Sequence, residues 1–261
     1  MFITAPLAPR ARLRTVPLAT VFLVSANLAA ASWTAVERAP LAGERDTARA
    51  ASVVPEADTS RLATLRRAAL GAELAAIDAR DPVHALSYER GSLPARAVSA
   101  LFVHATAMHV LTNVLVLAVA GACLEQVWGP AIVLALFVGA GTAGLVLDAR
   151  CGGPGLLVGA SSGVAALLGA CFVRFRRRSV AFGFVHLEYL RPRWGRFQLP
   201  VAVLGLAWLV VQAMGAIADS SGGHSGVAFV AHLAGAGAGI GTALLVAPHP
   251  RSRPVETTQL S

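Results

Sequence analysis

Residues 158–169 read VGASSGVAALLG, with two adjacent hydroxyls, Ser161 and Ser162, near the start of an apolar run that continues to about Val173. A serine in such a run is either a polar spacer between helices or a group whose chemistry needs shelter from bulk water. The run itself settles the class of fold first. A helix that crosses hydrocarbon needs about 20 mostly apolar residues, and six such stretches fit the chain: 16–33, 98–119, 130–147, 156–173, 199–218 and 227–247. Hydrophobic residues make up 56% of 261, charged residues 14%, and mean hydropathy is +0.64; soluble domains carry about 25% charged residues. The expected fold is an all-α integral membrane protein with six transmembrane helices. It divides into a tail (1–15), a first span (16–33), an outer loop (34–97), a five-helix membrane core (98–247) and a second tail (248–261).

Every basic residue among the 22 is arginine, and their placement orients the chain. With the N-terminus inside, the inner pieces hold 12 Arg against three acids, and the outer pieces hold 10 Arg against 11 acids. Arginine beside the ends of spans marks the cytoplasmic side, so both termini are expected there. The net charge of +8 then has a topological origin, and nucleic acid is not expected as a partner; the lipid bilayer is. Cys123, Cys151 and Cys171 are too few and too scattered for a disulfide framework or a metal site, and no cofactor or metal is expected.

The first 33 residues also admit a secretory-signal reading, with Arg10–Arg14 as the charged region, Val16–Leu28 as the apolar core and Ala29–Ala31 as a small-residue exit. The near-spanning length of 16–33 favours a retained helix. The loop 34–97 differs in composition, with nine acids and nine Arg. Within it, Leu62, Leu65, Ala69, Glu73 and Ile77 recur at three and four, a weakly amphipathic helix with Ser60 as N-cap. Such a helix either lies on the outer membrane surface or packs on the loop.

Polar side chains gather in the second and sixth spans. The second reads ALFVHATAMHVLTNVLVLAVAGACLEQVWG from Ala100. Neutral His and Asn are tolerated in hydrocarbon mainly where they face protein or a wet cavity. At 100° per residue, His109 and Asn113 lie about 40° apart on one face, whereas His104 lies about 140° from His109. The first two are read as facing inward, and His104 as a hydrogen-bonding brace for the outer loop. In span six, VAFVAHLAGAGAGIGTALLVA from Val227, His232 lies roughly 8 Å from the outer end at 1.5 Å per residue, and Ser161 lies at a similar depth. Gly235 and Gly239 near the histidine's face, with Ser161, Ala165 and Gly169 on span four, allow close backbone approach. Span three is nearly featureless and is read as enclosure; Trp208 and Gln212 in span five are read as packing residues.

Taken together, these residues resemble the rhomboid family of intramembrane serine proteases over roughly residues 94–247. The pattern His104-x4-His109-x3-Asn113 is similar to the family's second-span signature. Gly159-Ala160-Ser161 with Ala166-Leu167-x-Gly169 is similar to its nucleophile segment, and Ala231-His232-Leu233-Ala234-Gly235 with Gly239 to its last span. The resemblance implies a serine endopeptidase that cuts transmembrane helices of other membrane proteins near the extracytoplasmic face, in a bacterial plasma membrane. It makes Ser161 the nucleophile, His232 the base, and His109 and Asn113 oxyanion donors with the Ser161 N–H. His104, Gly159, Gly235 and Gly239 become structural.

Three positions depart from the pattern. The glycine after the nucleophile is Ser162 here, which makes Ser162 an alternative nucleophile. The aromatic expected four residues after the serine is Ala165, and a Trp-Arg expected before span two is Ala95-Arg96. With no Asp or Glu near His232 in sequence, a Ser–His dyad is expected. A non-catalytic relative that binds membrane helices as a scaffold is the alternative. A transporter is disfavoured because no internal repeat is visible, and a metalloprotease because there is no His-Glu-x-x-His.

Overall fold

The computed structural model describes residues 3–7, 15–51, 55, 58–151, 155–188, 191–222 and 225–246. The C-terminal tail, most of the N-terminal tail and the glycine-rich turn at 152–154 lie outside them. The chain is mostly helical. Four helices are long and apolar enough to cross a membrane: α1 (Leu18–Ala51), α5 (Ala107–Trp128), α6 (Pro130–Arg150) and α8 (Val201–Ser220). Two shorter apolar helices, α7 (Ser161–Arg174) and α9 (Phe229–Leu245), correspond to the expected fourth and sixth spans. Large apolar side chains on α8, including Leu206, Val210, Met214 and Ile217, are exposed, as expected of a surface that lipid covers.

Several boundaries differ from the sequence expectation. The first helix does not stop at residue 33 but continues unbroken to Ala51. Charged residues from Glu37 onward end the hydropathy signal, yet the sequence there is rich in helix-forming alanine. The stretch expected as the second span begins in a separate short helix, α4 (Pro94–Ala100), and breaks at 101–106. Helix α5 then starts at Ala107, where the N-cap Thr106 accepts from the His109 N–H at 3.1 Å. In α6, residues Ala135–Ala140 form a π-helical turn, so this span is less plain than its composition.

The expected helix after Ser60 is present as α2 (Arg61–Asp78), and Ser60 accepts from the Ala63 N–H at 3.1 Å. It packs on the extension of α1, where Leu41, Ala48 and Ile77 form a small core flanked by Leu70 and Leu74. Ion pairs tie the hairpin. Arg45 meets Asp78 at 2.7 Å and Asp81 at 2.8 Å, Arg38 meets Asp81 at 3.0 Å, and Arg80 pairs with Glu44. Asp81 also accepts from the Val83 N–H, capping the short α3 (Pro82–Leu86). Burial pushes the Asp81 carboxyl up, but the Arg45 and Val83 hydrogen bonds, with the charges of Arg38 and Arg45, outweigh it and hold the group below the ordinary carboxylate range.

The connection between α7 and α8 corrects the all-α expectation. Together with the N-terminal segment it forms an antiparallel sheet in the order β1 (Ile3–Leu7), β2 (Ser179–Glu188), β3 (Arg191–Pro200). The alternation Val180, Phe182, Phe184 supplies the strand period, and Phe182 stacks on Phe197 across the pair at 5.2 Å. Since β1 pairs with β2, the N-terminal segment and the α7–α8 connection lie on the same side of the helices.

At the centre sits α7, most of whose residues are buried. It is surrounded by α5, α6, α8 and α9, and its Leu167 joins Leu101, Leu117, Leu124, Phe137 and Leu145 in one core. The α1 end of the bundle is fixed by Glu125 of α5. Its carboxylate accepts from the N–H groups of Ala19 and Thr20, both at 2.9 Å, and from the Thr20 hydroxyl at 2.8 Å. A carboxylate there satisfies N-terminal donors and faces the positive end of the helix dipole.

Candidate active site

The turn that leads into α7 is irregular, and its backbone is held from several sides. Leu157 and Tyr88 exchange backbone hydrogen bonds at 2.7 and 3.0 Å, and the Gly159 N–H donates to Ala100 O at 2.8 Å. His104 Nε2 accepts from the Ala160 N–H at 3.3 Å. The 88–104 segment therefore fixes the approach to Ser161. Gly159 has φ +113°, in the left-handed region that favours glycine. A Cβ there would also stand 2.7 Å from His109 Nε2, so the His109 ring lies directly against the turn. His104 and His109 meet edge to face at 5.0 Å. One turn along α5, the buried Asn113 side chain donates from Nδ2 to its own helix at His109 O, 2.9 Å away.

Helix α7 meets α9 through small residues. A Cβ at Gly235 would overlap Ser162 O, one at Gly239 would overlap Ala166 O, and one at Gly169 would overlap Ala236 O. The stripe of α7 that faces α9 thus runs through Ser162, Ala166 and Gly169, one residue on from the Ser161–Ala165 line expected from sequence. Contacts this close give van der Waals packing where lipid removes any hydrophobic drive.

Ser162 is fully buried, and its Oγ donates to Ala231 O at 3.1 Å. Its hydroxymethyl group fits because Gly144 of α6 lies opposite, where a Cβ would overlap the Ser162 Oγ. This accounts sterically for a serine at a position where the resemblance leads one to expect glycine. Ser161, the first residue of α7, is half-buried, and its hydroxyl has no hydrogen-bond partner among the described residues.

On α9, the His232 Nδ1 lies 2.7 Å from Gln212 Oε1 of α8. The centre of the His232 ring is 6.2 Å from that of Trp208, inclined at 32°, and 6.4 Å from that of Phe229, nearly perpendicular to it. Ser161 and His232 share no hydrogen bond. What joins their helices is the bond one residue along on each, Ser162 to Ala231. The Ala231 N–H in turn donates to Asp148 Oδ1 at 3.1 Å, so this carboxylate is engaged with the start of α9.

A family model, the Rhomboid domain, matches residues 93–249, more than half of the chain. The chain belongs to the rhomboid family. No curated protein and no solved structure matches it. Within this rhomboid domain, Gln212 and Trp208, both on α8 and read from sequence as packing residues, are the neighbours of the His232 ring. They are four residues apart and so on one helix face. A buried amide in an otherwise outward-facing apolar helix was the available signal: among the residues of α8 only Gly205 and Gln212 are buried.

Proposed function

We propose that this rhomboid-family membrane protein is an intramembrane serine endopeptidase that cleaves transmembrane helices of other membrane proteins near the extracytoplasmic face. Ser161 is the nucleophile and His232 the general base. The observation that carries this reading is the α7–α9 crossing, where the neighbours of Ser161 and His232 are hydrogen-bonded and the backbones touch. Ser161 is favoured over Ser162 because the Ser162 hydroxyl is sealed in the packing and committed to Ala231 O.

In the reaction, Ser161 Oγ attacks the scissile carbonyl carbon as His232 Nε2 takes its proton. The oxygen of the tetrahedral intermediate gains negative charge, for which the Ser161 N–H, the His109 ring and the Asn113 amide are donors; each such donor is commonly worth about 3 kcal/mol. Collapse expels the amine, which receives the proton from His232. Water then repeats the sequence on the acyl-serine and restores the free hydroxyl. Substrates are helices with weak, small-residue stretches, whose backbone is least shielded by its own hydrogen bonds. The six apolar helices all cross the bilayer, both termini are cytoplasmic, and the site opens outward from a bacterial plasma membrane.

Labelling with a serine-reactive fluorophosphonate tests the assignment. Wild type and Ser162→Ala are expected to label, and Ser161→Ala is not. Labelling kept by Ser161→Ala and lost in Ser162→Ala overturns the choice of nucleophile. A second reading, a non-catalytic binder of membrane helices, is favoured by the missing Ser161–His232 hydrogen bond. An unlabelled wild type that still binds an intact single-span protein supports that reading.

A further inference from the structure

Helix α8 presents little to the rest of the protein. Gly205 lies against the ring of Phe172, Gly215 against that of Phe229, and a Cβ at either glycine would run into those rings. Between them lie Trp208 and Gln212, turned toward His232. A buried side-chain amide is costly unless it is hydrogen-bonded, and the 2.7 Å contact from Gln212 Oε1 to His232 Nδ1 is at the short end for an N–H···O bond.

The identity of the two atoms sets the state of the ring. An amide oxygen can only accept, so His232 Nδ1 carries the hydrogen, and the lone pair of the neutral imidazole is left on Nε2. The far nitrogen is the one a serine proton needs. The opposite orientation of the amide would donate an N–H to Nδ1, place the ring proton on Nε2 and leave no base there. Trp208, one turn before Gln212, lies beside the imidazole and is itself packed against Phe172 of α7 at 6.0 Å. Ala165, on α7, has no ring to offer.

We propose that Gln212 is the positioning residue for His232, fixing its tautomer and orientation from α8 with Trp208 alongside the ring. This rests on the protease reading above for its purpose, but its geometry can be examined separately. In the full-length chain in detergent micelles, with 15N-labelled histidine and the His232 signal assigned by its loss in His232→Gln, the wild-type ring is expected to carry its proton on Nδ1. Gln212→Leu is expected to lose that preference and to slow fluorophosphonate labelling by about 10- to 100-fold, a part of the roughly 10²–10⁴-fold that a positioned base contributes. Gln212→Glu keeps an acceptor oxygen and is expected to restore both. A wild-type proton on Nε2 overturns the proposal, whether or not the variants fold. So does a Gln212→Leu protein with unchanged tautomer and unchanged labelling. A wild type that never labels while holding its proton on Nδ1 overturns the protease reading and upholds the hold of Gln212 on the ring.

Discussion

Replacing Gly239 by alanine tests the closest contact in the bundle. The added Cβ would overlap Ala166 O and stand 2.8 Å from Ala166 C and 2.9 Å from Ala170 N. All three are backbone atoms of α7, so no side chain can swing aside and the helices must part, by about 1.5 Å or more to regain ordinary contact distances. Overpacking of this kind costs about 1–3 kcal/mol. Gly237, two residues earlier on the same helix, provides the control, because a Cβ there meets nothing within 4 Å. Its replacement by alanine removes only the flexibility of glycine and is expected to stabilise by about 0.5–1 kcal/mol. The same gain accompanies Gly239→Ala, so the two variants should differ by the overpacking cost, about 1–3 kcal/mol, which for a chain of this size is a gap in melting midpoint of roughly 2–12 °C. Thermal unfolding in one detergent at one scan rate, followed by circular dichroism, measures it. Gly239→Ala should also lose fluorophosphonate labelling, because parting α7 from α9 separates Ser161 from His232. Equal midpoints for Gly239→Ala and Gly237→Ala would refute the close crossing.

Two further predictions concern charged groups away from the site. Glu125→Ala leaves three buried donors at the start of α1 without their acceptor; a loss of about 2–4 kcal/mol is expected from the cap and the helix dipole together, with Glu125→Gln milder, as read by thermal unfolding. Asp81 has its folded carboxyl held below the ordinary range, so its stabilisation is complete above that range and fades as pH falls through the folded value. Hydrogen-exchange protection in α2, taken relative to the intrinsic exchange rate at each pH, is therefore expected to fall in acid, and Asp81→Asn, less stable near neutrality, should lose that part of the acid response; identical protection profiles for variant and wild type would show that Asp81 does not carry it.

The parts of this structure that were legible in sequence are those where neighbours along the chain decide the outcome. Ser60 capping α2 is a contact three residues long, and the apolar spans follow from the absence of water. His104 was set off from His109 by an angle that assumes one continuous helix; it lies instead in the break before α5, where its ring meets that of His109. The parts that were not legible depend on partners distant in the chain or on a cue that measures something else. Hydropathy reports solvent preference, so it ended α1 at residue 33, although the backbone stays helical to Ala51 through charged residues that pair with α2. It also ran the second span back through Leu101 and Val103, apolar residues that are buried in a break between helices. The strands after Arg178 fall between two spans, where hydropathy assigns no element, and only the first of them carries an alternation, at Val180, Phe182 and Phe184. Of the expected stripe on α7, Gly169 does face α9, but the first two positions fall one residue on, at Ser162 and Ala166, because a 100° step leaves both serines near the seam. Gln212 carried no motif, and its partner is 20 residues away on another helix.

The two consecutive residues Ala231 and His232 draw on different kinds of acceptor, and the physics of a low-dielectric site explains the division. Asp148 is placed against the start of α9, where the Ala231 N–H and the positive end of the helix dipole offset its charge. An ionised carboxylate beside the His232 ring would have no such helix end, and the effective penalty for burying an unpaired charge is several kcal/mol. The neutral Gln212 oxygen supplies what orientation requires, an acceptor aimed at Nδ1, without a charge to desolvate. The cost falls on the proposed reaction instead, since an imidazolium formed at His232 would find a dipole beside it and not a counter-charge. Gln212→Glu separates the two effects. If it restores the tautomer but not the labelling rate, orientation is served by any acceptor and the neutral partner matters for the chemistry; if it restores both, the amide matters only as an acceptor.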